Sequence, residues 1–115
     1  MIRLYGIRNC DTVKKARAWL DGRGIAYHFH DVRRDGLDES DLRAWVGSLG
    51  WEALINRRGT TWRALPEATR ASMDTETAIR AMLENPALIR RPLIEIGEIR
   101  HLGFSPTDYA RLLDP

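Results

Sequence analysis

The chain has 115 residues, 43% hydrophobic and 30% charged, which fits one globular domain with a core of useful size and excludes a disordered, fibrous or membrane-spanning chain. The formal net charge is only +2, and the 18 basic residues divide into 16 arginines and 2 lysines with no basic tail and no RNA- or DNA-binding motif, so no nucleic-acid partner is expected. A single cysteine excludes an internal disulfide framework and suits a reducing compartment; with no apolar run of membrane-spanning length and no signal-peptide pattern, a cytoplasmic monomer is expected.

Residues 2–7 form an apolar run that reads as a first, interior strand. Residues 11 to about 23 read as a helix with Val13, Ala16 and Leu20 on one face and Gly22 and Gly24 as its stop. Residues 25–32 read as a second strand, with Tyr27 and Phe29 on one face and His28 and His30 on the other. This β-α-β opening implies a parallel pair with a right-handed crossover. After the turn Arg33-Arg34-Asp35-Gly36, Asp38 caps a second helix that ends at Gly50 and carries a stripe of Leu42, Trp45, Val46 and Leu49. Residues 51–55 could make one helical turn, 56–61 read as polar loop, and Pro66 suits the first position of a short helix. Asp74 caps a helix to about Glu84, with Ile79, Met82 and Leu83 on one face, and Asn85-Pro86 ends it. Residues 94–96 and 99–102 flank Gly97-Glu98 as a hairpin. Ser105-Pro106-Thr107-Asp108 matches a capping box, after which Tyr109, Leu112 and Leu113 face inward. The order β-α-β … β-β-α predicts an α/β, thioredoxin-like fold with a helical insertion at about 38–86, in a single domain spanning 1–115.

The chemistry is expected at Cys10. The thiol follows a strand and Gly6 and opens a helix, where free N–H groups and the positive end of the helix dipole favour a thiolate. The alternative is a small buried filler. Asn9 and Thr12 could donate to sulfur or to a bound anion, or cap the helix. Asp11 beside the thiol opposes any anion, and Lys14 and Lys15 read as a solvated face. The arginines include the pairs Arg33-Arg34, Arg57-Arg58 and Arg90-Arg91; a guanidinium fork binds oxyanions better than an ammonium does. His28 and His30 lack a third ligand, so no metal site is expected. The four tryptophans read as packing residues.

Three stretches together carry a resemblance. Residues Tyr5-Gly6-Ile7-Arg8-Asn9-Cys10-Asp11-Thr12-Val13-Lys14-Lys15-Ala16, the loop Asn56-Arg57-Arg58-Gly59-Thr60-Thr61-Trp62, and Asn85-Pro86-Ala87-Leu88-Ile89-Arg90-Arg91-Pro92-Leu93 resemble the arsenate-reductase-like (ArsC/Spx) family over nearly the whole chain. The match is best to its single-cysteine bacterial branch. The resemblance implies that Cys10 is the attacking thiol, that Arg91 binds an oxyanion beside it, and that Pro92 is the cis proline that holds Arg91 near the cysteine. The departures are Asn56 and Ser105 where arsenate reductases carry arginines, with Arg57 adjacent to the first and Arg100 and His101 near the second. Val13 stands where Spx regulators carry the second cysteine of Cys-x-x-Cys.

The resemblance therefore implies a glutathione-dependent thiol oxidoreductase with Cys10 as sole nucleophile. Arg91 and Arg57 or Arg58, with Asn9, Thr12 and Pro92, would form the substrate or glutathione site. Glutathione would be a co-substrate, with no bound cofactor, and the partners would be a small oxyanion or disulfide and a glutaredoxin. True arsenate reduction ranks lower because two arginines are missing. The alternative is an Spx-like module that binds RNA polymerase without a redox switch, and a third reading is a relative with no activity.

Overall fold

The opening apolar run forms β1 (Ile2–Gly6), an inner strand of a four-stranded sheet of order β2-β1-β3-β4. The structure, a computed structural model, describes residues 1–113. After β1 come α1 (Asp11–Gly22) and β2 (His28–Asp31); after the insertion come β3 (Leu93–Ile96), β4 (Ile99–Leu102) and the C-terminal helix, numbered α7 below (Pro106–Leu113). β1 runs parallel to β2 and antiparallel to β3, and β3 and β4 form the expected hairpin. This is the thioredoxin-like arrangement predicted from the element order.

These elements form one unit, Met1–Asp31 with the segment from Arg91 onward. Its core joins Leu4 of β1, Ala16 and Leu20 of α1, Ile94 of β3 and Tyr109 of α7, flanked by Trp19, Phe29, Phe104, Leu112 and Leu113. Tyr109 meets Phe104 and Trp19 edge-on, with ring centroids 4.7 and 5.8 Å away. The Ser105 hydroxyl caps α7 by accepting the Asp108 N–H at 3.1 Å, as the capping box predicts.

Several boundaries differ from expectation for local reasons. β1 stops at Gly6 because the Ile7 carbonyl closes a turn with the Cys10 N–H. β2 starts at His28, not at residue 25, because the chain before it completes the helix end. There Ile25 N–H bonds Leu20 O and Gly24 N–H bonds Asp21 O, with Gly24 at φ +66°. That is a Schellman cap, for which glycine is the favoured residue; Gly22 is still inside the helix.

The second unit, Val32–Arg90, holds the insertion: α2 (Glu39–Leu49), α3 (Trp51–Leu54), α4 (Thr60–Arg63), α5 (Glu67–Ala71), α6 (Thr75–Glu84) and a 3-10 turn (Pro86–Leu88). Asp38 and Asp74 cap α2 and α6 as predicted, accepting the N–H groups of Asp41 and Thr77. The α2 stripe buries Leu42, Trp45 and Val46, and α6 buries Ala78, Ile79, Ala81 and Met82. Arg43 reaches across from α2 to hold both oxygens of Glu76 on α6 at 2.9 and 3.0 Å. Two details were not anticipated. Thr60 and Thr61 leave the polar loop to form α4, and Pro66 sits just before α5, not as its first residue. No helix among the described residues is long and apolar enough to cross a membrane.

Candidate functional site

Cys10 sits where the sequence places it, at the join of a turn and a helix. Its N–H donates to the Ile7 carbonyl at 3.0 Å, closing a four-residue turn, and its own carbonyl accepts the Lys14 N–H at 2.9 Å. It is therefore the cap residue of α1, with extended φ and ψ, and its thiol is free and half-buried. No side-chain hydrogen bond from the cap residue serves the helix end. Asn9 in the turn is exposed, as are Asp11, Thr12, Lys14 and Lys15 on the first turns of α1. At an exposed Asp11, solvent and salt screen the repulsion of a nearby anion.

Two features behind the turn hold it. Gly6 has no room for a side chain: a Cβ there would lie 2.6 Å from Cγ2 of Val13, a fully buried residue of α1. That close approach lets α1 pack directly on the end of β1. Asp31, the last residue of β2, lies opposite Gly6 in the parallel register and is only 5% exposed. Its Oδ2 accepts the Arg8 N–H at 3.0 Å.

Arg91 and Pro92 come to the same end of the sheet. Tyr5 pairs with Leu93 in the antiparallel register of β1 and β3. Arg91 and Pro92 therefore lead into β3 at the end of the sheet where β1 reaches Gly6. The Arg91–Pro92 peptide bond is cis. Pro92 is buried and its carbonyl accepts the Gly103 N–H at 2.8 Å, while Arg91 is half-buried. Ser105 and the basic residues near it are engaged in other contacts. Ser105 caps α7, Arg100 Nε lies 2.9 Å from Glu95 Oε2 across the hairpin, and His101 Nε2 lies 3.5 Å from Asp108.

Arg57 and Arg58 belong to the second unit, where they line an open cleft of about 550 Å³ with Glu52, Asn56 and Arg90. An antiparallel bridge between Ile55 and Ile89 fixes its backbone, helped by bonds from Asn56 N–H to Leu88 O and from Arg90 N–H to Leu54 O. The Arg57 guanidinium lies 5.4 Å from the Trp51 ring and 5.9 Å from that of Trp62, and 3.5 Å from the exposed Glu52 carboxylate. Trp51 and Trp62, read from sequence as packing residues, are thus also faces for an arginine. The sequence reading also missed Glu52 and Asp31, and named Arg90 only as part of an arginine pair. For Asp31 a signal existed: an acid ending a strand parallel to the one that leads to the thiol.

The chain has relatives among known proteins. The model of the ArsC family matches residues 5–112. An uncharacterized protein of Haemophilus influenzae is 46% identical over 109 residues, 95% of this chain and 96% of its own. Among solved structures, a protein called YFFB superposes with a TM-score of 0.93 at 47% identity, covering 98% of this chain and 99% of that one. An arsenate reductase (ArsC) related protein from Brucella melitensis gives 0.79 at 42%, covering 99% and 95%. The global transcriptional regulator Spx of Streptococcus agalactiae is 27% identical, over 98% of this chain and 83% of its own.

Proposed function

The chain belongs to the ArsC family, and from that premise we propose that it is a glutathione-dependent thiol oxidoreductase with Cys10 as its only nucleophile. The observation that carries the reading is a free, half-buried thiol at the cap of α1, past the end of β1 that pairs with the start of β3, into which Arg91 and Pro92 lead. The Cys10 thiolate attacks one sulfur of a mixed disulfide of glutathione. The old S–S bond breaks, a Cys10–glutathione bond forms, and the other sulfur leaves as a thiolate. A second glutathione thiolate then attacks the Cys10 adduct, releasing glutathione disulfide and restoring Cys10. The chain has no second cysteine, so the resolving thiol comes from outside. A glutaredoxin could also supply it.

Arg91 is assigned the glutathione carboxylate nearest the sulfur, and the resemblance of the middle loop makes Arg57 or Arg58 a further anion-binding candidate in its own unit. Asn9 and Thr12 supply exposed polar groups beside the thiol, and Pro92 fixes the backbone next to Arg91. The test is intact-mass spectrometry after exposure to glutathione disulfide and to hydroxyethyl disulfide. Cys10 is expected to react faster with glutathione disulfide, and that preference falls in Arg91→Ala and at high salt, as attraction between opposite charges requires. Equal rates with both disulfides, or an unchanged preference in Arg91→Ala, refute the assignment.

The Spx relative supports a second reading, a module that binds RNA polymerase. Purified RNA polymerase retained equally by the protein and by Cys10→Ser would favour it, because an adaptor needs no thiol.

A further inference from the structure

Asp31 is a buried acid that the proposed chemistry does not use. A carboxylate is costly to bury unless strong hydrogen bonds meet its charge. Here Oδ2 accepts the N–H of Arg8 at 3.0 Å. Arg8 is the second residue of the turn closed by Cys10 N–H on Ile7 O, and Cys10 is tied onward by the Lys14 N–H to its carbonyl. Three bonds therefore run from the end of β2 through the turn into α1. The one from Asp31 is made by a side chain, and it ties the turn to the neighbouring strand.

We infer that Asp31 is the positioning residue for Cys10: by holding the Arg8 N–H it fixes the turn that presents the thiol to an incoming disulfide. This rests on the reading of Cys10 as a nucleophile. Disulfide exchange needs the attacking sulfur in line with the bond it breaks, and a displacement of about 1 Å is enough to cost roughly 10²-fold in rate. A turn released from the end of β2 spreads the thiol over orientations that are mostly unproductive.

Three variants of the full chain separate this from a purely structural role. Asp31→Ala removes the acceptor. Asp31→Asn keeps an acceptor oxygen and removes the charge. Arg8→Pro deletes the donor, at a turn position that suits proline. Each is assayed well below its own Tm for Cys10 alkylation by iodoacetamide and for thiolation by glutathione disulfide. Asp31→Ala and Arg8→Pro are expected to slow thiolation at least about tenfold, with Asp31→Asn within about threefold of the wild type. The inference is overturned if Asp31→Ala lowers Tm yet leaves both rates within about twofold, or if Asp31→Asn is as slow as Asp31→Ala. If Asp31→Ala does not fold, the other two variants decide, and a wild-type rate in Arg8→Pro overturns the inference. A wild-type Cys10 that takes iodoacetamide but not glutathione sinks the glutathione reading alone, because the alkylation comparison still decides the role of Asp31.

Discussion

Gly6→Ala puts a methyl group where none fits. Its Cβ would lie 2.6 Å from Cγ2 and 3.1 Å from Cγ1 of Val13. Val13 is fully buried, so it cannot swing into solvent, and either the side chain leaves its rotamer or α1 moves away from β1. Overpacking of this kind costs about 1–3 kcal/mol, which for a domain of this length lowers Tm by roughly 4–12 °C. Val13→Ala alone destabilises by creating a cavity. In the double variant, however, the new methyl occupies part of the space that valine vacates. The two changes should therefore couple by about 1 kcal/mol or more, well beyond the few tenths seen for independent sites. Urea unfolding of the four proteins gives the cycle. Additivity within error, or a Gly6→Ala protein as stable as the wild type, would show that β1 and α1 are not in the contact described. Movement of α1 also moves its cap residue, so Gly6→Ala should slow Cys10 thiolation, and the double variant should recover part of the loss.

The Tyr109 hydroxyl is buried without a hydrogen-bond partner among the described residues, so Tyr109→Phe should be neutral or stabilising by up to about 1 kcal/mol in urea unfolding. Burial pushes the Tyr109 phenol above the ordinary tyrosine range. The phenol therefore leaves stability independent of pH below about pH 10 and lowers it as pH rises further, because only the unfolded chain releases the proton; its ultraviolet titration should coincide with alkaline unfolding. At the acid end, hydrogen bonds from Ser40 and the Asp41 N–H lower Asp38, those from Thr77 lower Asp74, and Arg43 lowers Glu76. Their stabilisation is present above the ordinary carboxylate range and fades as pH falls through their lowered values, so the acid limb of a urea-midpoint profile should flatten in Glu76→Gln. Arsenate reduction with glutathione and glutaredoxin should be weak or absent. Two missing charge-assisted contacts at about 1.5–3 kcal/mol each amount to roughly 10²–10⁴ in rate if additive, and turnover like that of a dedicated arsenate reductase would refute this.

What the sequence makes legible here is what is periodic or local. The α2 stripe, the acidic caps Asp38 and Asp74, the Gly97-Glu98 hairpin and the Ser105 cap depend on neighbours a few residues apart, and the structure has them where the pattern puts them. The start of β2 failed because alternation alone cannot tell a strand from the chain that closes a helix; Ile25 is apolar, but its N–H goes to Leu20 O. Trp51 and Trp62 were read too narrowly, because a packing reading leaves out the ring face, which here also serves a guanidinium.

The surroundings of Cys10 were hidden for a deeper reason. The one signal for Asp31, an acid ending a strand parallel to the one that leads to the thiol, lies far from Cys10 in the sequence, and nothing near Gly6 says that its missing side chain makes room for Val13. The first depends on strand register and the second on how α1 packs on β1. Gly6 lies opposite Asp31 on one side, and Tyr5 just before it pairs with Leu93 just after Pro92 on the other, so a glycine, an acid and a proline far apart in the chain come to one end of the sheet. A slip of one residue in either pairing would turn alternate side chains to the opposite face. The β1–β3 register is held by Leu4 and Ile94, which share the core with Tyr109. Packing on the core face of the sheet therefore fixes which residues stand behind the thiol.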